Sequence, residues 1–590
     1  MTVAGTDFRD GFELLTEALS RHAEFETPAF TFVDYGSQRE GSAGTITWAE
    51  LDRRARAVGA LLARTTRPGE RVALLCPQNL DYVIGFLGAL YAGTIAVPLF
   101  APEAHSHAER LIGALADCAP EVWLTSTSAL PAVTELRDRH PVPRPKQLFA
   151  VDTVDSAPAD DFRPVPVTAD EPAYLQYTSG STRRPAGAVI THRAVMANVR
   201  QAEAAFGVEQ STVSVGWLPF FHDMGLIQLV CLPVVLRCHS VFTTPAAFTR
   251  RPTRWLRMLA AHPNVLTAAP NFAYEYVASK MAADTDLDGL DLSGVKVAIN
   301  GSEPVRAVTI TEFAAATSRF GFAASAHRPS YGLAEATVFV STMPNGSAPR
   351  FAVLDREGLG EGRAVVADPA DERAVTLVSA GRSVGQHVRV VDAERGQVVP
   401  DGTVGEIWVH GPNVASGYWQ QPDATEQTFG GRLTDAEDLP SSALPSSGWL
   451  RTGDLGVIHE GDLFVTGRMK DMIIIDGRNH YPHDIEATVQ ESHPAIRRDR
   501  LAVFGVERDG HEVPVVVAEH SQHVSAGDLD FDEIGRVARA AVSRHHDLRL
   551  FDFVLVRPGL VPRTSSGKIA RSAARAAYLS GALAAVRSVR

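Results

Sequence analysis

The sequence predicts an α/β protein: a large, multi-subdomain N-terminal domain with parallel sheets and a β-rich subdomain, then a small α+β domain at the C-terminus. Three observations carry this. Residues 71–98 read strand, helix, strand, as a parallel βαβ unit does. Short apolar runs separated by helical patterns repeat that rhythm as far as residue 300. The pattern then changes twice: to alternating strands and turns over 384–409, and, after Lys470, to a compact tail of about 120 residues, an ordinary domain size. A chain of 590 residues is in any case too long for one core.

In chain order, residues 51–63 carry a helical pattern, 71–75 predict a strand and 79–91 a helix. Ala92-Gly93 stops that helix, and residues 94–98 are β-like. No charge occurs between residues 82 and 102, long enough for a membrane span. The stop at Gly93 divides that stretch, and buried parallel strands are continuously apolar, so no stable membrane insertion is expected. Short strands follow at 121–126 and 147–151, then an Asp-, Ala- and Pro-rich linker at 155–172. Residues 174–177 form another short apolar strand. After it, Thr178, Ser179, Gly180, Ser181 and Thr182 gather four hydroxyls around a glycine before Pro185 and Gly187 turn the chain into 188–190. Such a loop can donate backbone N–H groups and hydroxyls to phosphate oxygens, although a plain surface turn has the same composition. Further strands are expected at 213–218, 241–244, 265–269 and 295–300.

An apolar content of 45% and a charged content of 21% describe an ordinary globular chain. The formal charge of −13 argues against nucleic acid as a partner, for no basic excess is available to neutralise phosphates. Cys76, Cys118, Cys231 and Cys238 are too few and too scattered for a disulfide framework or a zinc ribbon, and are expected as buried thiols. Residues 1–10 show no basic-then-apolar secretory pattern, and a cytoplasmic location is expected.

Several later segments join the hydroxyl loop. Trp217-Leu-Pro-Phe-Phe-His-Asp-Met-Gly225 sets His222 on a turn after a strand, and Asn300-Gly-Ser-Glu-Pro304 follows another. Ser330-Tyr-Gly-Leu-Ala-Glu-Ala336 ends in Glu335, Arg451-Thr-Gly-Asp-Leu455 presents Asp454, and Thr466-Gly-Arg-Met-Lys-Asp471 carries Arg468 and Lys470. Pro562-Arg-Thr-Ser-Ser-Gly-Lys568 places Lys568 on a loop before an Ala/Arg helix. Each alone has another explanation: a core histidine, a helix cap, an Asx-turn, a solvated lysine. Gly567-Lys568 is not a Walker A loop, since no glycine lies five residues before Gly567 and Ile569 replaces the Ser/Thr.

Together, in this order and from about Thr47 to Arg571, these motifs resemble the ANL superfamily of adenylate-forming enzymes. Most members read Thr-Gly-x-Pro-Lys-Gly where this chain reads Thr182-Arg-Arg-Pro-Ala-Gly187, which resembles the fatty acyl-AMP ligases. Phe220-Phe-His-Asp-Met-Gly225, Tyr331-Gly-Leu-Ala-Glu-Ala-Thr337 and Gly477-Arg-Asn-His-Tyr-Pro482 are similar to that branch too. So is an extra segment at about 351–380, which in the family is an insertion that packs on the large domain and disfavours the CoA-using arrangement. From the residues alone it is a charged, Gly/Pro-punctuated excursion.

The resemblance implies a large adenylation domain at 1–469 and a mobile lid at 470–590, hinged at Lys470. It implies ATP as substrate, Mg²⁺ as cofactor and a medium- or long-chain fatty acid. The acid would become an acyl-adenylate and pass to the phosphopantetheine arm of an acyl carrier protein of a polyketide or nonribosomal peptide synthase. Thr178, Ser179, Gly180, Ser181 and Thr182 would cradle the β- and γ-phosphates, and Glu335 would hold Mg²⁺. Tyr331 would face adenine, with Gly301, Ser302 and Gly332 around the base. Asp454 would accept from the ribose hydroxyls, and Arg468 would reach ribose or phosphate. His222 would sit beside the reacting carboxylate, and Lys568 would bridge it to the α-phosphate. The acyl pocket is expected among apolar residues such as those around Trp217, Met224, Leu226 and Ile227, with the lining residues left to the structure. Two other readings stand beside this one: a long-chain fatty acyl-CoA synthetase, against which the altered loop and extra segment argue, and a catalytically dead adenylate-binding scaffold.

Overall fold

The computed structural model describes residues 13–589 apart from 37, 103–107, 178–184, 282–283, 285–286, 436–443, 476, 509, 523, 525–528, 564–567 and 584, and only the backbone of 585–589. The hydroxyl loop Thr178, Ser179, Gly180, Ser181 and Thr182 therefore lies outside the described residues.

The expected βαβ unit forms. Arg71–Leu74 and Ile95–Pro98 pair in parallel, with Ala73 opposite Val97, around the helix Leu80–Tyr91. Asn79 caps that helix by accepting from the Tyr82 N–H, and Gly93 ends it at φ +67°. Ten of its residues are buried, as a helix between a sheet and its neighbours requires. The unit seeds a six-stranded sheet in the order Gln147–Ala150, Val122–Thr125, Arg71–Leu74, Ile95–Pro98, Pro172–Tyr177, Gly187–Thr191. Only the last pair is antiparallel.

A nine-stranded sheet lies beside it. Its parallel heart runs Pro28–Asp34, His239–Phe242, Val213–Gly216, Val265–Pro270, Val295–Gly301, His327–Gly332. The Gln78 side chain ties the two sheets: its amide donates to the carbonyls of Leu218 (2.9 Å) and Thr243 (2.8 Å) and accepts from the Phe220 N–H (3.2 Å). All four cysteines are free and buried. Among the described residues no helix is long and apolar enough to cross a membrane.

The β-rich part is an antiparallel sheet built on His387–Asp392, Gly405–His410, Ser447–His459 and Asp462–Arg468. Residues 351–380 are more ordered than their composition suggests: Phe351–Asp355 and Ala374–Val378 pair as antiparallel strands, with the short helix Arg356–Gly360 between them. Ala352, Leu354 and Leu359 pack with Leu455, Val457, Phe464 and Tyr481. At the C-terminus, Ile496–Arg508, His511–His520, Asp552–Val556 and Ala585–Val589 form a four-stranded sheet with two cores of its own.

Candidate active site

Ligands in open α/β sheets bind beyond the carboxyl ends of the parallel strands. Here a cleft of about 2000 Å³ opens at that edge, between the nine-stranded sheet, the β-rich sheet and the C-terminal segment. His222, Asp223, Ser302, Tyr331, Gly332, Glu335, Asp454, Arg468, Lys470 and Lys568 all line it.

Local constraints set each group. His222 follows Val213–Gly216 and caps the short helix Asp223–Leu226; its Nδ1 lies 2.6 Å from Asp223 Oδ1. Gln176 holds this turn by donating to the Phe221 carbonyl (2.9 Å). Gly301 ends its strand where a Cβ would fall 2.8 Å from the Ser330 carbonyl oxygen. The next residue, Ser302, adopts φ +68°, a conformation that costs a residue bearing a Cβ about 1–3 kcal/mol. At Gly332 a Cβ would sit 1.7 Å from the Val338 carbonyl oxygen, so only glycine fits.

On the facing sheet Asp454 and Arg468 are register partners. Asp454 Oδ1 accepts from Arg468 Nε (2.9 Å) and Oδ2 from the Tyr331 hydroxyl (2.8 Å), which joins the two sheets through one carboxylate. Glu335 Oε1 accepts from the Tyr418 hydroxyl (2.7 Å). Lys568 sits on a loop closed by the Ala570 N–H donating to the Pro562 carbonyl (3.0 Å). Arg571 anchors the following helix, forking Glu486 (2.7 and 2.6 Å) and reaching Asp471 (3.0 Å), next to Lys470. Lys470 itself is exposed on the turn Met469–Asp471.

The electrostatics of the cleft set two cations, Lys568 and Arg468, among the carboxylates of Asp223, Glu303, Glu335 and Asp454. Burial pushes the Lys568 ammonium below its ordinary pKa and Arg468 adds to this, against Asp223, Glu303 and Asp454. Burial pushes the Asp223 carboxyl up, but His222 and Lys568 outweigh it and hold the group below its usual range. Burial raises Glu335, partly offset by Tyr418. Asp454 raises Arg468 above its usual value. Glu303, whose carboxylate accepts from the Phe272 N–H (2.6 Å), is raised by burial to about 7.

The AMP-binding enzyme family matches residues 19–419, and the AMP domain of Disco-interacting protein 2-like proteins matches 470–588. The long-chain-fatty-acid–AMP ligase FadD32 of Mycolicibacterium smegmatis is 43% identical, over 94% of this chain and 92% of that protein. The long-chain-fatty-acid–AMP ligase FadD26 of Mycobacterium tuberculosis is 41% identical, over 94% and 95%. The chain belongs to the fatty acyl-AMP ligases of the AMP-binding enzyme family. A solved fatty acyl-adenylate ligase from Legionella pneumophila, in complex with acyl adenylate and pyrophosphate, is similar to this fatty acyl-AMP ligase with a TM-score of 0.74 at 31% identity, over 100% of this chain and 99% of that one.

In this ligase the cleft brings together every sequence-derived site residue that is described, except Gly301, which is buried next to the lining residue Ser302. Trp217, Met224, Leu226 and Ile227 themselves are packed into the core, Trp217 stacked on Phe248 at 3.8 Å. Of the apolar residues around them, Phe221 lines the cleft, together with Phe272 and Val305. The sequence reading missed Tyr418, Gln78 and Gln176, single polar residues whose partners lie far along the chain. Asp223 and Glu303 stood inside quoted motifs, and a charge next to a strand-end turn was the signal to weigh.

Among the described residues no group of three or more His, Cys, Asp or Glu side chains gathers as a ready-made metal site. A single half-buried carboxylate in the cleft, Glu335, fits Mg²⁺ none the less, because that ion usually takes one or two carboxylates and completes its shell with phosphates and water.

Proposed function

We propose that this ligase activates a medium- or long-chain fatty acid with ATP, releases pyrophosphate, and passes the acyl group to the phosphopantetheine thiol of an acyl carrier protein of a polyketide or nonribosomal peptide synthase. The observation that carries this reading is Lys568, brought from the C-terminal segment into the same cleft as Asp223, Asp454 and Arg468. In the first step a fatty carboxylate oxygen bonds to the α-phosphorus of ATP and the bond to pyrophosphate breaks. Two anions must meet, so the site must offset repulsion and hold attacking and leaving oxygens in line. Lys568 bridges the carboxylate and the α-phosphate. His222, oriented by Asp223, sits beside the carboxylate. Asp454 accepts from the ribose, Arg468 reaches ribose or phosphate, and Tyr331 with Gly301, Ser302 and Gly332 holds adenine. Thr178, Ser179, Gly180, Ser181 and Thr182 cradle the β- and γ-phosphates. Glu335, oriented by Tyr418, holds Mg²⁺, which neutralises phosphate charge when bound. In the second step the carrier thiol attacks the acyl carbonyl and AMP leaves. Residues 470–590 act as the lid over 1–469 and rotate at Lys470 between the two steps. A cytoplasmic setting, where ATP is at hand, belongs to the same reading.

Mass spectrometry of products from the purified protein with ATP, Mg²⁺ and a ladder of fatty acids, with and without CoA, tests this. Acyl-AMP should accumulate and should not be drained by CoA. Efficient acyl-CoA formation would move the chain to the synthetase reading.

The segment 351–380 supplies the restraint against CoA. Arg356 forks Asp484 of the lid (2.6 and 3.1 Å) and donates to the His545 carbonyl (2.9 Å), while the Glu372 carbonyl pairs with His545 Nδ1 (2.8 Å). Charge-assisted bonds of this kind contribute about 1.5–3 kcal/mol each. Arg356→Ala should therefore free the lid and raise acyl-CoA formation roughly tenfold over the wild type. An unchanged rate with a normally folded variant would assign the restraint elsewhere.

The alkaline side of the pH profile follows from Lys568. The working form has Lys568 charged, and burial lowers its pKa. Pyrophosphate release should thus fall on an alkaline limb below the usual lysine range. Lys568→Arg, whose guanidinium stays charged, should move the alkaline limb upward; no movement would give that limb to another group.

A further inference from the structure

A second cavity, of about 420 Å³, lies at the far edge of the nine-stranded sheet, and none of its lining residues is shared with the cleft. Its walls are the strands Pro28–Asp34 and His239–Phe242, the residues Tyr35, Arg39 and Glu40, and the helix Thr253–Ala260. Arg39, Arg251, Arg254 and Arg257 line it, with Glu40 as the one carboxylate among the lining residues. His239 and His262 also line it. Burial drives the His239 pKa down to about 4 and lowers that of His262, so both are neutral near pH 7.

The arginines differ in what they do. Arg251 is committed to Asp284, which it forks at 2.9 and 3.1 Å. Arg254 is 9% exposed, and its Nε has no hydrogen-bond partner. Its Nη1 reaches the Ala247 carbonyl only at 3.5 Å, and its guanidinium lies 4.3 Å from the centre of the Tyr35 ring. A buried, charged N–H without an acceptor is costly, and the neighbouring Arg250 and Arg251 add repulsion. A carboxylate or phosphate group in the cavity offsets that repulsion, and the planar guanidinium is the group best matched to such oxygens. The Tyr35 ring packs against the guanidinium, and 420 Å³ leaves room for more than a bare ion.

We propose that this cavity is a second ligand site that takes a small oxyanion-bearing molecule, phosphate or carboxylate, with Arg254 as its central donor and Arg39 and Arg257 at its rim. Inorganic phosphate and citrate are the probes. Calorimetry is run on the full chain with the cleft blocked by a non-hydrolysable acyl-adenylate analogue, and a tungstate soak locates the ion by its anomalous scattering. Saturable phosphate binding and tungstate density beside Arg254 are expected. Arg254→Gln and Arg257→Gln should each weaken binding at least tenfold while pyrophosphate release stays at the wild-type rate. Should the buried Arg254→Gln fail to fold, Arg257→Gln carries the test. Binding of citrate alone would make the ligand a carboxylate. No binding of either probe, affinity indifferent to the variants, or tungstate only in the cleft would overturn the proposal.

Discussion

Lys568→Ala slows adenylate formation by roughly a hundredfold or more and leaves the fold intact: that is the expected result, by analogy with losing one preorganised charge-stabilising group. The lysine is half-buried on a loop and contributes to neither core of the C-terminal sheet. Burial already disfavours its charge, so removal should leave the melting temperature unchanged or slightly higher. The loss falls on the step in which negative charge gathers between carboxylate and α-phosphate. Transfer from supplied acyl-adenylate to a carrier thiol, which makes no use of this ammonium, should stay within a few-fold of normal. Pyrophosphate release and thermal melting of the same preparation check both halves. A soluble variant that releases pyrophosphate at nearly the normal rate would remove Lys568 from the mechanism.

The second large effect is expected at Asp454. This carboxylate is 5% exposed and takes hydrogen bonds from both Tyr331 and Arg468. Asp454→Ala leaves the Tyr331 hydroxyl without its acceptor and should cost about 1–3 kcal/mol of stability. The half-exposed Arg468 turns to water and adds little. The ribose loses its acceptor as well, and kcat/KM for ATP should fall roughly a hundredfold, about 2.7 kcal/mol of transition-state stabilisation. Asp454→Asn keeps an oxygen for Tyr331 and should recover most of the stability but little of the ATP dependence. Denaturant titration and ATP kinetics separate the two roles. An unaltered ATP dependence in both variants would leave Asp454 a purely structural tie.

Much of this was legible in the sequence because it is local. Residues 71–98 announce strand, helix and strand by apolar runs, and the left-handed Gly93 marks the turn that joins them. His222, Tyr331, Glu335, Asp454 and Lys568 sit in short motifs at the ends of strands, so their convergence on one cleft follows once the sheets form. What escaped depends on long-range partners. Nothing near Gln78 or Tyr418 in sequence signals that one ties two sheets or that the other orients Glu335. The lining of the acyl pocket stayed open for a related reason: an apolar pattern shows that Trp217 and Leu226 are buried, but not whether they face a cleft or a core. The segment 351–380 read as an excursion because its order comes from contacts with Leu455, Val457 and Tyr481.

The roots of that segment reward a closer look. The Ser379 N–H donates to the Arg350 carbonyl at 2.9 Å, so the two ends of the excursion are one hydrogen bond apart. Both ends are also fastened to the same carboxylate: Asp462, 2% exposed, accepts from Ser379 Oγ (2.9 Å) and Arg382 Nε (2.9 Å) and pairs with Arg350. A stretch rooted in this way is a cassette. An in-frame deletion that rejoins Arg350 to Ser379 through a tight turn spans a gap the backbone already closes, and closing a short loop costs little chain entropy. The deletion would uncover Leu455, Val457 and Phe464 on the host sheet, so a segment with such anchorage can be gained or lost by a gene only together with apolar-to-polar changes on the face beneath it.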